Sequence, residues 1–580
     1  MSWRSWFGPR EIVVLVLFVA VLMLPLLFQI DRPETNAASR TLVIMTPHNE
    51  QIRYEFKRAF ELWHERTHGE QVRVAWSVPG GTSEIRRMLM AQWTAALEQG
   101  FQPGGDADLV FGGGSYEHGR LRSGVSETIR HLASDSALEW LAGIEVQNAQ
   151  AVMAVAMQEG RADFGAGVVH GVVSKDQNGD TYTIKASATI STPSQPVENP
   201  ATYYGRTEVA DTPLWNREGY WWGTALSSFG IIANLDELKA RHLEPPNSWR
   251  DLADPTLLEA VSMVNPAQSG SVTTAFDTIL RRFGWTAGWQ VLRRMAANAR
   301  TISASSLRGP TDVAAGDAAM GVCIDFFGRY QEQALADHGA AGRVIYVDPP
   351  GETTLDPDPI SMLASPPDRE LAQRFIEFTL SDEGQSLWQF DPKAASSDGL
   401  GPDQYALRRL PIITSMYTRF DDRFMDTFDP FANAGEVEFP DSAMRAFIAP
   451  LMQAMAFDRR DDLVAAWVAI TSHPDFPTDR EGVIVTADMV DDPELKAMLV
   501  AFDAMPPVHD PDGNLLSLDT KEGREAIKRG WLRGGWGAKG PWDPEASPAS
   551  TFRRYAGRFF GTSYQDVISG GARATTAAAP

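Results

Sequence analysis

Cysteine is nearly absent from this 580-residue chain, since Cys323 is the single one. One thiol cannot form an intramolecular disulfide, and it cannot supply the cysteine set of a zinc or iron–sulfur site. Basic residues are also scarce, with 52 Lys and Arg against 75 Asp and Glu, for a formal net charge of −23. Because sequence-independent nucleic-acid binders need clustered positive charge, this composition argues against such a binder, and no nucleic-acid partner is expected.

Familiar catalytic motifs are missing as well: the sequence contains no P-loop and no G-x-S-x-G turn. It also has no internal repeat. Hydrophobic residues make up 43% and charged residues 22%, which is typical of a globular chain. At about 150 residues per domain, the length predicts three to four domain-sized units.

The longest uncharged apolar run lies near the start, at residues 12–30. Nineteen residues at about 1.5 Å each are long enough to cross a bilayer core. Arg4 and Arg10 precede the run, which predicts that the rest of the chain lies outside the cytoplasm. The run is either a retained inner-membrane anchor or a cleaved signal peptide, because residues 35–39 offer only a poor cleavage site. No Cys lies directly after it, so a lipid-anchored lipoprotein is not expected.

Alternating strand and helix patterns follow. Apolar β-branched runs at 41–45, 72–76 and 108–111 predict strands, and amphipathic patterns between them predict helices. This order indicates an α/β domain with a parallel sheet. The same pattern resumes at residues 229–234 and continues through predicted strands at 260–264, 319–325 and 344–347.

Two regions depart from this pattern. Within residues 145–215, an Asn-Gly pair at Asn178 and Gly179 separates two β-rich runs, which predicts a hairpin in an insertion. Residues beyond 412 are mainly helical in pattern. Within them, the basic and aromatic stretch 552–560 predicts an amphipathic helix.

Collinear motifs give the chain a family resemblance. They are Thr46-Pro47-His48, Gly81-Thr82-Ser83, the segment 108–113, NSWRDLADP at 247–255, Asn265-Pro266 with Ser269-Gly270-Ser271, and the segment 372–385. In this order, residues 41–387 resemble extracellular solute-binding proteins of ABC importers. Within these proteins, the chain is similar to the iron(III)-type branch of the type-2 periplasmic-binding fold.

The resemblance implies an α/β fold of two lobes, joined by crossover strands, with a small-molecule or chelated-ion ligand held between them. It implies the membrane subunits of an importer as partners, no catalysis and no cofactor. The expected organisation is a signal peptide or membrane anchor at 1–39, lobe 1 at 40–144 and 326–412, an insertion at 145–215, lobe 2 with crossover strands at 216–325, a helical extension at 413–567 and a disordered tail at 568–580.

Candidate ligand-binding residues lie just after predicted strands or at helix starts, where open α/β sheets bind ligands. Free backbone N–H groups at helix starts bind anions, and Gly allows close approach. The family also places its cleft at matching positions. The predicted contacts are His48, Thr82, Ser83, Gly113, Ser115, Ser269, Ser271 and Asp325. At any one of these loops, the hydroxyl could instead serve only as a helix cap.

One departure from the family concerns the metal. Iron-binding members carry adjacent tyrosines where this chain has Phe326 and Phe327. Phenylalanine has no oxygen to coordinate Fe(III), so no metal site is predicted there. The ligand could therefore be an organic anion, a chelate or a cation.

A second function class rests on His64-Glu65-Arg66-Thr67-His68, which matches H-E-x-x-H. On a helix, His64 and His68 would face one zinc with Glu65 as general base, as in a membrane-anchored zinc hydrolase. Polar Arg66 and Thr67 and the nearby Gly69 favour an exposed helix end instead. A third hypothesis is a transport-inactive binding module of the cell envelope, suggested by the insertion and the extension.

Overall fold

The computed structural model of the protein describes residues 40–570, apart from 166, 180, 210, 395–397, 434–436, 478–481 and 535–547. The predicted membrane span at 12–30 and most of the predicted tail lie outside these residues. Among the helices that are described, none is both long and apolar enough to cross a membrane.

Nineteen strands are described. They are β1 (Arg40–Met45), β2 (Val72–Ser77), β3 (Leu109–Phe111), β4 (Val125–Ala133), β5 (Arg161–Asp163), β6 (Val169–Lys175), β7 (Thr181–Ala188), β8 (Ser191–Thr192), β9 (Glu208–Val209), β10 (Thr212–Pro213), β11 (Trp222–Asn234), β12 (Val261–Val264), β13 (Ala299–Ser303), β14 (Met320–Ile324), β15 (Val344–Val347), β16 (Leu355–Leu363), β17 (Leu410–Pro411), β18 (Val508–His509) and β19 (Leu515–Leu516).

The α-helices up to residue 386 are α1 (Glu50–His68), α2 (Thr82–Gln99), α3 (Ser115–Ser123), α4 (Ser134–Gly143), α5 (Ala149–Glu159), α6 (Pro200–Tyr204), α7 (Leu235–Ala240), α8 (Gly270–Ala297), α9 (Arg308–Ala315), α10 (Asp325–Asp337), α11 (Arg369–Leu380) and α12 (Asp382–Ser386). Those after it are α13 (Met416–Arg419), α14 (Pro430–Asn433), α15 (Met444–Met452), α16 (Arg460–Thr471), α17 (Pro493–Asp503), α18 (Lys521–Ile527) and α19 (Pro548–Ile568).

The first helix shows how local sequence produces these elements. Ile52, Phe56 and Phe60 recur at helical spacing and are buried on one face of α1. The side chain of Asn49 caps the start by accepting the Ile52 N–H at 3.0 Å. Gly69 ends the helix in the left-handed region, at φ 71°. The predicted helix and its predicted stop are therefore confirmed.

Eleven strands form one long sheet that divides into two halves. Its main path is β13-β12-β14-β11-β16-β3-β1-β2, with β15 and β17 paired to β11 and β8 paired to β16. β1 runs parallel to β2 and β3, and β12 runs parallel to β13 and β14. The predicted α/β class is confirmed, with a parallel set of three strands in each half.

The two halves are lobes because β11 changes partners along its length. Residues 222–228 of β11 pair with β16, whereas residues 229–234 pair with β14 and β15. The chain crosses back through residues 348–354, between β15 and β16. All thirteen residues of β11 are buried. This strand is therefore the main covalent connection beneath the cleft.

A second sheet packs on lobe 1. Its antiparallel order is β4-β7-β6-β5. Because β4 precedes residue 145, the sheet includes a strand that lies before the predicted start of the insertion. The predicted hairpin joins β6 to β7, where the Gly179 N–H donates to the Asp176 carboxylate at 2.7 Å. The inner face of this sheet shares a core with α2 and α4.

The helical extension packs on lobe 2 and shares one hydrophobic core with it. Phe447 of α15 lies 5.6 Å from the Trp285 ring of α8, measured between ring centroids. In α19, Phe552, Phe560 and Tyr564 are buried, as the predicted amphipathic helix requires. The chain thus crosses from lobe 1 to lobe 2 a further time, between α13 and α15.

Candidate functional site

A cavity of about 420 Å³ lies between the two lobes. Its lining follows the carboxyl ends of six parallel strands: β1, β2 and β3 in lobe 1, and β12, β13 and β14 in lobe 2. This is the edge at which open α/β sheets bind ligands. The volume is within the range of small-molecule sites.

The lobe 1 wall of the cavity is organised by the carboxylate of Asp358. It accepts the backbone N–H of Gly113 at 2.7 Å and the Nε2–H of His48 at 2.9 Å, and it forms an ion pair with Arg409. Arg409 also donates to the hydroxyl of Ser227. Burial opposes ionisation of Asp358, but Arg409 and His48 outweigh it and lower its pKa to about 2. Asp358 and Arg409 are therefore both charged, and each neutralises the charge of the other.

Glycine is required beside this cluster. Gly112 and Gly113 have φ of 98° and 126°, which L side chains rarely adopt. A Cβ on Gly112 would lie 2.5 Å from the His48 Nε2 atom. The turn after β3 thereby allows the Gly113 N–H to reach Asp358.

Two helix starts face each other across the cavity. Thr82 begins α2 in lobe 1, while Ser269 caps α8 in lobe 2 and Ser271 lies in its first turn. The Ser269 hydroxyl accepts the Val272 N–H at 3.2 Å and lies 2.7 Å from the hydroxyl of Ser306. At the start of α2 the Glu84 carboxylate accepts the Gly81 N–H at 2.8 Å, and at α8 the Ser269 hydroxyl already takes one N–H. The other first-turn N–H groups lack intrahelical partners and are the donors that an anion could use.

Asp356 is a second carboxylate on the lining. It accepts the hydroxyl of Ser115 at 2.5 Å. Burial raises its pKa to about 6, although the Ser115 hydrogen bond and the charge of Arg445 oppose the rise. This side chain therefore titrates near neutral pH within the cavity wall.

The paired phenylalanines also line the cavity. The rings of Phe326 and Phe327 lie 4.1 Å apart between centroids, and the guanidinium of Arg409 lies 4.7 Å above the Phe326 ring. They contribute an apolar surface and a cation–π contact, where a ferric site would need oxygen ligands.

Five of the eight predicted contacts line this cavity: His48, Thr82, Gly113, Ser269 and Ser271. The other three do not. Ser83 donates its hydroxyl to Glu117 at 3.2 Å, and Ser115 lines a smaller neighbouring cavity.

Asp325 is the clearest correction. Although it follows β14 as predicted, it is fully buried beneath the cavity and accepts the backbone N–H of Phe326. Burial raises its pKa to about 7, against the opposing charges of Arg409 and Arg329. The strand turns into α10 at this point, so Phe326 rather than Asp325 reaches the lining.

Six charged lining residues were not predicted from the sequence: Glu84, Glu117, Asp356, Asp358, Arg409 and Arg445. The two aspartates lie in β16, where Pro357 and Pro359 argue against an interior strand although β16 is central. The arginines lie in segments beyond the resembling region. A weak signal was available in Arg408-Arg409, a charged pair directly before an apolar run.

The H-E-x-x-H segment does not form a zinc site. His64 is fully buried, which corrects the prediction that it lies on an exposed helix end; residues 65–68 are exposed. The His64 Nδ1 atom bonds the Glu70 carbonyl at 2.8 Å, and Nε2 accepts from Arg374 at 3.0 Å. Both ring nitrogens are occupied, so His64 has no lone pair left for a metal.

A different group of potential metal ligands occurs among the described residues, at His473, Asp475 and Asp492. Asp492 caps α17 by accepting the Leu495 N–H at 2.8 Å. His473 Nδ1 accepts the Asp475 N–H at 3.2 Å. These hydrogen bonds explain why the three side chains lie together, because they stabilise a loop and the start of α17.

A known protein family matches the middle of the chain. Residues 194–397 match the family model described as "Bacterial extracellular solute-binding protein". This range includes the crossover strand β11, all of lobe 2 before the extension, and β16. The resemblance to extracellular solute-binding proteins is therefore confirmed.

A curated relative is the phosphoglycerate transport regulatory protein PgtC of Salmonella typhimurium, which is 30% identical over 163 residues. The match covers 28% of this chain and 39% of that protein. The chain thus spans about two fifths of the length of this relative.

Solved structures with a similar course of the chain include the periplasmic binding protein AfuA of Actinobacillus pleuropneumoniae, with fructose-6-phosphate bound. It is 16% identical, with a TM-score of 0.44, over 74% of this chain and 98% of that one. Iron-bound HitA of Pseudomonas aeruginosa is 16% identical, with a TM-score of 0.40, over 69% and 92%.

Proposed function

We propose that this protein, whose residues 194–397 are an extracellular solute-binding domain, is the extracytoplasmic solute-binding component of an ABC importer. It captures one small solute between its lobes and closes on it by a hinge motion. The observation that carries the proposal is the cavity formed by the carboxyl ends of three parallel strands from each lobe. No catalytic step is assigned to the chain.

The solute is a small organic anion in this proposal. Two helix starts present N–H donors to the cavity, and the buried carboxylate of Asp358 is already neutralised by Arg409. Phe326 and Phe327 argue against a ferric ion bound by tyrosinate oxygens. The name of the relative PgtC suggests a phosphorylated three-carbon acid as the first compound to test.

The solute contacts in this proposal are His48, Thr82, Gly113, Ser269 and Ser271, joined by Arg409. Ser83, Ser115 and Asp325 support the surrounding structure. The protein acts at the periplasmic or extracellular face, held or directed there by residues 12–30. Its partners are the membrane subunits of the importer.

The proposal is tested by screening the full chain in detergent for thermal stabilisation. The panel contains 3-phosphoglycerate, glycerol 3-phosphate, inorganic phosphate, citrate, glycerol and glucose, and titration calorimetry follows for each compound that stabilises the protein. A ligand that binds the native state alone raises the melting temperature as its concentration exceeds its Kd. We expect one anion to bind with 1:1 stoichiometry. If mass spectrometry of the purified protein and the panel both give no bound solute, the proposal fails.

A further inference from the structure

The helical extension contributes a side chain to the cavity. Arg445 lies in α15, outside the residues that match the solute-binding family, yet it lines the cavity between the lobes. The backbone that carries it is held firmly, because Phe447 and Ile448 of α15 are fully buried in the core shared with lobe 2. The position of Arg445 is therefore set by the extension.

Arg445 contacts both lobes. Its guanidinium lies 4.8 Å from the ring centroid of Tyr116, on α3 of lobe 1. Its Nη1 donates to the Thr274 hydroxyl at 3.1 Å, on α8 of lobe 2. These three residues line both the central cavity and a neighbouring cavity of about 150 Å³, so they form the wall between the two.

The charge of Arg445 is only partly compensated. Its nearest carboxylate, that of Asp277, lies 4.0 Å away, and within the described part of the chain Thr274 is its one hydrogen-bond acceptor. A guanidinium has five N–H donors, so several stay available. Arg409 differs, because its side chain is 2% exposed and is bound to Asp358 and Ser227. The side chain of Arg445 is 19% exposed.

We propose that Arg445 is a solute-binding residue, through which the helical extension recognises a carboxylate or phosphate group of the solute. A planar guanidinium can bind either group through two parallel hydrogen bonds. Tyr116 positions Arg445 by stacking against it. Since Arg445 already touches both lobes, the solute anion completes a bridge between them. This proposal rests on the proposed function and adds the extension to the site.

The test compares three variants of the full chain by titration with 3-phosphoglycerate and inorganic phosphate. Arg445→Met removes the charge and the donors, whereas Arg445→Lys keeps the charge. Arg553→Met is the matched control, because Arg553 is an exposed arginine of the extension that pairs with Asp458 away from the cavity. We expect Arg445→Met to weaken binding about 10- to 100-fold, Arg445→Lys to weaken it less, and Arg553→Met to leave it unchanged.

The outcomes separate this inference from the proposed function. Equal affinity of wild type and Arg445→Met for the anions overturns the inference and leaves the function standing. Binding of glycerol or glucose in preference to the anions does the same. If the wild type binds no compound of the panel and mass spectrometry finds no bound solute, both are overturned. If Arg445→Met does not fold, Arg445→Lys decides: wild-type affinity for the anions contradicts a bidentate contact, and weakened affinity at an unchanged melting temperature supports it.

Discussion

Asp356 illustrates at the residue scale how burial sets the chemistry of the cavity wall. It is surrounded by the hydroxyl of Ser115, the charge of Arg445 and the carboxylate of Asp358, and its pKa is about 6 in the absence of solute. An anion bound nearby disfavours the ionised carboxylate further. Binding of an anion should therefore be accompanied by proton uptake at Asp356.

The first prediction follows from the sign of this coupling. Protonated Asp356 does not repel an anion, so the affinity for an anionic solute should rise as the pH falls from 8 to 6, by about three- to tenfold. Asp356→Asn is neutral throughout and can still accept the Ser115 hydroxyl, so its affinity should lose this part of the pH dependence. Calorimetric titrations at pH 8, 7 and 6 measure it. Ionisation of the solute itself changes the affinity of both proteins equally, so it cannot produce a difference between them. If the binding constants of wild type and Asp356→Asn depend on pH to the same extent, the proton uptake does not occur at Asp356.

The elements explain why two neighbouring serines of α8 differ. Both line the cavity, but Ser269 is 4% exposed and also caps the helix, whereas Ser271 lies in the first turn and does not cap it. From the sequence, both are predicted contacts, and Ser269 is also the candidate helix cap. Substituting both together would mix loss of a helix cap with loss of a solute contact.

The second prediction separates them. Ser269→Ala should lower the free energy of unfolding by about 1 kcal/mol, because a helix cap is lost. Ser271→Ala should leave unfolding nearly unchanged and weaken binding of an anionic solute about tenfold or more. Denaturant unfolding and calorimetric titration of both variants give the comparison. Wild-type affinity in Ser271→Ala would remove this residue from the site.

The third prediction concerns α1 and its H-E-x-x-H segment. His64→Ala removes a buried ring with two hydrogen bonds and should destabilise the protein by about 2–3 kcal/mol, while exposed His68→Ala should change stability by less than about 0.5 kcal/mol. A zinc site would make both substitutions similarly damaging. Urea unfolding and metal analysis test this, and stoichiometric zinc that both variants lose would contradict it.

Much of the element pattern is predictable because it depends on local sequence. Apolar periodicity, the Asn49 cap and the Gly69 stop locate α1, and short β-branched runs locate the parallel strands. β16 is one exception, because its two prolines suppress the local strand signal while pairing with β11 and β3 holds it in the sheet.

Five lining residues of the site follow from the same local rules. His48, Thr82, Gly113, Ser269 and Ser271 were predictable since each follows a strand or begins a helix. Arg409 and Arg445 reach the cavity through tertiary packing from segments far along the chain, which periodicity cannot reveal. The prediction of Asp325 as a contact is wrong because the chain turns into α10 at this residue. Asp325 is thereby buried, and the next residue, Phe326, reaches the cavity lining.

At the scale of the whole molecule, the lobes are joined by β11, by residues 348–354 and by the segment that leads into the extension. An ion-pair cluster lies beside these connections, where Arg329 contacts Asp348 at 2.8 Å and Asp426 at 3.1 Å. We expect this arrangement to hold the base of the cleft and closure to occur as a hinge at the change of partners in β11. The extension should move together with lobe 2, because the two share a core.

Closure of the lobes on a solute can be measured as a change in the distance between them in the full chain. Cysteines at exposed Arg87 of lobe 1 and Asp317 of lobe 2 can carry spin labels, since the native Cys323 is buried. A pair at Arg66 and Arg87, both in lobe 1, is the control.

Double electron–electron resonance should show a shorter and narrower distance distribution between the lobes when 3-phosphoglycerate, or the compound of the panel that binds, is added. The control distance should not change. An interlobe distance that is the same with and without solute, while calorimetry shows the solute bound, would contradict the account.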